Sequence, residues 1–192
     1  MRILILGLLI FLGTHSVRIV ADGWRTVRIA AMGEKAWKGA YTLLSLLGFG
    51  LIVWGYGEAR LNPAILWPTP TWTRHVVALL TLPAFLLIVA AYVPDNRIKV
   101  AVGHPMVAGV KLWALAHLLA NGTSADLALF GSFLVWAAAS FRAARARDRA
   151  AGIARRAGPV SRDIAVLLIG GLAWAVFAFK LHVMLIGVRP FG

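Results

Sequence analysis

No cysteine occurs anywhere in the chain. Its absence removes structural disulfides, thiolate metal sites and the Cys-x-x-Cys-His attachment of a c-type haem, so any haem has to be held without a covalent tether. Acidic residues are also scarce, with seven Asp and Glu against twenty Lys and Arg. No two carboxylates lie close together inside an apolar run, which argues against hydrolysis by a carboxylate pair. The zinc-protease HExxH, the Walker phosphate loop, the GxSxG serine elbow and the GxGxxG dinucleotide turn are all missing.

What fills the chain is apolar. Hydrophobic residues make up 60% and charged residues 14%, whereas a membrane span needs roughly 20 predominantly apolar residues to cross a ~30 Å core. Six runs approach that length: Ile3 to Val20, Gly39 to Gly57, His75 to Val93, His104 to Ala120, Ala125 to Phe141 and Asp163 to Val188. The expected architecture is all-α, an integral membrane bundle of about six transmembrane helices forming a single unit over 1–192. The start, "MRILILGLLIFLGTHSV", has an apolar core but no small-x-small cleavage site after it, and is read as a retained first span.

The net charge of +13 raises nucleic acid as a partner, but the cations sit between apolar runs, where anionic lipid is the better match. Loops one, three and five hold thirteen of them: Arg25, Arg28, Lys35, Lys38, Arg97, Lys99, Arg142, Arg145, Arg147, Arg149, Arg155, Arg156 and Arg162. The opposite side holds four: Arg2, Arg60, Arg74 and Arg189. Short basic loops stay cytoplasmic, so both termini are expected on the outer side of the membrane. Loop two, "LNPAILWPTPTW", has the proline and tryptophan content of an interfacial anchor. Loop five, "FRAARARDRAAGIARRAGPVSR", reads as a helical extension of span five lying against lipid.

Ionisable side chains inside spans are costly and usually face the bundle interior. His15, Lys111, His117, Lys180 and His182 are therefore the candidates, each imidazole either binding a ligand or joining two helices by a hydrogen bond. By helical rise, His15 lies about 18 Å below the outer end of span one and His117 about 20 Å from the inner end of span four. Both fall in mid-bilayer, where on facing helices they could hold a planar ligand such as a haem with two axial imidazoles. His104 and His117, thirteen residues and about 20 Å apart along one helix, cannot share an iron.

His104 precedes Pro105 and marks the inner start of span four. His75 is an interfacial imidazole, and Lys180 and Arg18 stand close enough to span ends to snorkel. Lys111, seven residues into its helix, is expected to pair with a haem propionate or with Glu34. Trp113, His117 and Asn121 share one helical face. "ANGTSAD" supplies a turn, with Ser124 or Asp126 able to start span five.

"FLGTHS", "MGEKAWKGAYTLLSLLG", "VWGY", "GHP" and "KLWALAHLLANG" resemble the NnrU family of bacterial membrane proteins over nearly the whole chain. That family is associated with nitrite and nitric oxide reduction in denitrifying bacteria. It is similar in turn to the zeta-carotene isomerases, which use haem b to move a central cis double bond to trans. The resemblance implies haem b as a cofactor with His15 and His117 as its iron ligands in a bacterial inner membrane with periplasmic termini; Lys111 and Trp113 are the further residues expected to bind the cofactor. The isomerases carry a cysteine where this chain has Ala114, so a thiolate ligand switch is unavailable. They also carry a histidine pair where it has Val135 and Trp136.

Two functions follow as expectations. One is a haem b protein acting as a redox-gated, cis-trans isomerase-like enzyme or as a gas or redox sensor, with a hydrophobic small molecule or nitric oxide as its partner. The other is a non-enzymatic accessory or assembly partner of a membrane respiratory complex. A transporter is disfavoured, because the spans lack the acidic residues that couple ion movement.

Overall fold

Residues 1–190 are described by a computed structural model; the last two positions of the expected 1–192 unit lie outside the described residues. The chain forms α1 (Arg2–Val20), α2 (Asp22–Met32), α3 (Glu34–Ala59), α4 (Thr73–Tyr92), α5 (Arg97–Val102), α6 (Pro105–Ala120), α7 (Ser124–Ala150) and α8 (Val160–Ile186). No strand occurs among the described residues, only an isolated bridge between Ile65 and Thr123. Five helices, α1, α3, α4, α7 and α8, are long and apolar enough to cross a membrane. The fourth expected span, His104 to Ala120, becomes α6, whose 16 residues rise only about 24 Å, short of a ~30 Å hydrocarbon core. Large apolar side chains such as Leu43, Leu46, Val53, Leu79, Val135 and Leu172 are exposed around the outside, the arrangement expected where lipid is the solvent.

Neighbours in space are not neighbours in sequence. α3 packs on α1, α1 and α6 both pack on α7, and α4 packs on α6 and α8, giving the spatial order α3, α1, α7, α6, α4, α8. The tightest contact is between α1 and α3. A Cβ placed on Gly7 would lie 2.6 Å from the Ile52 backbone nitrogen and one on Gly48 would lie 2.7 Å from that of Phe11, while one on Gly55 would overlap the Leu4 backbone. Helices in lipid lack a hydrophobic drive to associate, so close approach over small residues supplies dispersion contacts instead.

The start of α1 and the close of α8 lie at one end of the bundle, called here the terminal end. Leu4 packs beside Gly55 near the close of α3, and the Arg60 guanidinium donates to the Ile186 carbonyl at 3.4 Å. Loop two folds across this end, its Leu66 N–H donating to Gly122 O at 2.7 Å and its Ala64 O accepting from Ser124 N–H at 2.9 Å. The cap of α7 is Thr123, not Ser124 or Asp126 as expected. Its hydroxyl accepts from the Asp126 N–H, while the Asp126 carboxylate accepts from the Thr123 N–H at 3.0 Å and from the Tyr56 hydroxyl at 2.6 Å. Buried Asp126 thereby ties α7 to α3, and the box satisfies donors that a helix start leaves open.

The opposite, basic end is knitted by polar contacts. Buried Asn96 caps α5 by accepting from Lys99 N–H at 2.7 Å, and its amide donates to Ala90 O and Val93 O. Arg162 pairs with Asp95, and Arg97 with Asp163. Helix α7 continues past Phe141 to Ala150, as the charged run suggests. The first loop is not a loop: α2 occupies most of it, with Trp24 against Trp37 and Arg28 over the Trp24 ring.

Two stability effects are expected. Gly55→Leu should lower the unfolding midpoint in detergent by separating α1 from α3, at a cost of about 1–3 kcal/mol. Gly57→Leu, on the open face of the same helix, should leave it unchanged. Asp126→Ala should cost about 1–2 kcal/mol through the lost cap, and Tyr56→Phe about 1 kcal/mol, read in the same assay.

Candidate functional site

A cavity of about 230 Å³ opens between α4, α6 and α8. On α4 its wall includes Arg74, Ala78, Thr81, Phe85 and Ile88, residues three to four apart on one helical face and reaching about 21 Å from first to last. Trp113 and His117 line it from α6, and Trp174, Phe177 and His182 from α8. The wall is apolar and aromatic, with two imidazoles inside it and an exposed guanidinium at the terminal end.

The face of α6 expected to carry Trp113, His117 and Asn121 does so through a ladder of bonds. His117 Nδ1 lies 2.9 Å from the Trp113 carbonyl, and Asn121 Nδ2 donates to the His117 carbonyl at 2.8 Å. A carbonyl can only accept, so Nδ1 carries the proton and Nε2 a lone pair. Nε2 makes no hydrogen bond among the described residues. The ring is held by Trp113, 5.2 Å between centroids, and by Phe130 of α7 at 4.8 Å.

Two π-helical turns flank His117. Leu127–Gly131 in α7 contains Phe130. Phe177–Leu181 in α8 leads directly into His182. Residues five apart diverge by about 140° on a regular α-helix, but a π turn brings them onto one face. Phe177 and His182 are five apart, their centroids 5.9 Å from each other, and both line the cavity. His182 Nδ1–H donates to Val188 O at 2.7 Å, again leaving Nε2 unprotonated.

His15 stands elsewhere. Its Nδ1–H donates to Phe11 O at 2.7 Å, and its ring stacks on Phe11 and meets Tyr41 and Trp136 edge-on. The Trp136 Nε1 beside it is the one buried side-chain nitrogen or oxygen without a hydrogen-bond partner among the described residues. Helix α7 serves as a ruler. His117 touches Phe130 and His15 touches Trp136, six residues farther on, so the two imidazoles differ in depth by about 9 Å. Between them Phe133 contacts Phe11 at 5.8 Å and Trp113 at 5.7 Å. Two nitrogens on one metal ion stand about 4 Å apart, twice a metal–nitrogen bond of roughly 2 Å. His117 therefore contacts Trp113 and shares its cavity wall with His182, whereas His15 lies outside that wall.

The other polar candidates separate cleanly. Lys111 is exposed, with Nζ 5.4 Å from the Phe141 ring centroid, and it neither lines the cavity nor meets Glu34, which pairs with Lys38 at 2.7 Å. His104 begins α6 as expected but makes no capping bond. It meets Asp148 at 2.8 Å, which also pairs with Arg155 at 2.6 Å, beside a second cavity lined by Arg145 and Arg149 at the basic end. His75 and Lys180 are exposed. His182 gave no distinguishing signal in sequence, because a π turn has no simple periodicity; the capping box, by contrast, was readable in Thr123-Ser124-Ala125-Asp126.

No three His, Cys, Asp or Glu side chains converge on a metal position among the described residues, so a zinc-type site with three or four protein ligands has no candidate. A macrocycle that brings its own equatorial nitrogens needs only one or two imidazoles. The His117 and His182 donors, with bare Nε2 atoms inside an aromatic wall, suit such a group.

No curated protein and no solved structure matches the sequence. The profile of the NnrU protein family matches residues 3–190. That match covers the helices from the second residue of α1 onward and every residue lining the cavity between them, and the chain belongs to the NnrU family.

Proposed function

We propose that this membrane protein binds haem b non-covalently in the cavity between α4, α6 and α8, with His117 as an iron ligand. The observation that carries the reading is the state of His117: its Nδ1–H is fixed to the Trp113 carbonyl, its Nε2 is uncommitted, and its ring lines an aromatic cavity. Histidine ligands are usually oriented by this kind of bond from the second ring nitrogen. When bound, the haem supplies a redox-active iron able to meet a small gas or a polyene.

The chain's own residues hold and enclose. Trp113 and Phe130 fix the rotation of the His117 ring, and Phe85, Trp174 and Phe177 exclude water from the wall. The family's association with nitrite and nitric oxide reduction supports a role in denitrification, as a gas or redox sensor or as a redox-gated isomerase-like enzyme. The thirteen-to-four distribution of cations supports the inner membrane, with the basic end cytoplasmic and both termini periplasmic. His15, the other imidazole implied by the resemblance, can share this iron only if Phe133 leaves the space between α1 and α6.

An accessory role in a respiratory complex is the second reading. It is favoured by the exposed apolar face of α3, with Leu43, Leu46, Leu47 and Trp54, which is open to a partner helix as well as to lipid. Co-purification of a reductase subunit with a haem-free protein, unaltered by His117→Ala, would support it.

The first reading predicts a Soret band in the purified protein after expression with a haem precursor. His117→Ala should remove most of the bound haem, and His75→Ala should leave it in place. A colourless protein from haem-supplemented cells would overturn the reading.

A further inference from the structure

We infer that His182, and not His15, supplies the second imidazole to the iron bound by His117, and that Arg74 receives a carboxylate of the same group. The inference rests on the haem reading above and adds a residue set to it. Three independent features of the cavity support it. His117 and His182 line the same wall, whereas His15 is absent from it. Each of the two has its Nδ1–H tied to a backbone carbonyl, so both present a lone pair at Nε2. The π turn Phe177–Leu181 is what brings His182 round to the face that Phe177 shares. Such insertions recur at functional sites because they re-aim a side chain at some cost in helix geometry.

Arg74 completes the set. It stands on the first turn of α4 at the terminal end of the cavity, and it makes no ion pair among the described residues. Its planar fork suits a carboxylate, and its charge lies where an amphipathic ligand would place its polar edge, toward the headgroup region.

The inference is tested by absorption and electron paramagnetic resonance spectra of the full-length protein in detergent, ferric and reduced, for the wild type and for His182→Ala, His15→Ala and His117→Ala. The wild type should show the low-spin signature of two nitrogen ligands. His182→Ala should lose that signature and become high-spin while keeping haem, and added imidazole should restore the low-spin spectrum. This rescue separates a missing ligand from a misfolded chain. His15→Ala should keep the wild-type spectrum. Arg74→Gln should weaken haem retention against apomyoglobin competition by about tenfold, the order of one charge-assisted hydrogen bond.

A low-spin spectrum that persists in His182→Ala and turns high-spin in His15→Ala overturns the inference while leaving His117 and the haem reading standing. A haem-free wild type overturns both. Haem retention unchanged in Arg74→Gln overturns the carboxylate assignment alone.

Discussion

An imidazole N–H inside hydrocarbon has to find an acceptor, because water is not there to supply one. His15 and His117 solve this in the same way, each donating Nδ1–H to the carbonyl one turn back, while His182 reaches the Val188 carbonyl beyond the close of α8. The bond that satisfies each ring N–H also fixes its tautomer. Nε2 is left with a lone pair in every case, so the constraint that admits histidine to the bundle equips it as a ligand.

Which lone pairs meet is decided by helix order. α7 lies between α1 and α6, and its Phe130, Phe133 and Trp136 form a layer against which His117 and His15 rest at different depths. The wedge is held at its terminal end by Asp126, shared between the Thr123 cap and the Tyr56 hydroxyl, and α1 is held against α3 by backbone approach over Gly7, Gly48 and Gly55. With α7 in that position, the open space falls on the far side of α6, where α4 and α8 frame a slot and the π turn in α8 aims His182 into it.

Much of the fold was legible in the sequence. Apolar run lengths located every long helix, the Pro105 start and Asn121-Gly122 end of α6 were readable from turn chemistry, and the charged run after Phe141 announced the extension of α7. The candidate site was legible only residue by residue. His117 and Trp113 could be named because they share a helical face, but depth along each helix says nothing about which helices touch, so the pairing of His15 with His117 rested on an assumed neighbour relation. Lys111 resisted for the same reason, its cation resting on Phe141 of another helix. The amphipathic α2 was hidden in a segment read only for its charges.

Haem binding requires that the slot between α4, α6 and α8 house a planar group held by His117. An experimental structure of the protein purified from haem-supplemented cells tests it most directly. Macrocycle density in that slot, continuous with His117 Nε2, is the expected result. A slot filled by a lipid chain or closed by side chains, with His117 Nε2 bonded only to water or protein, would contradict it.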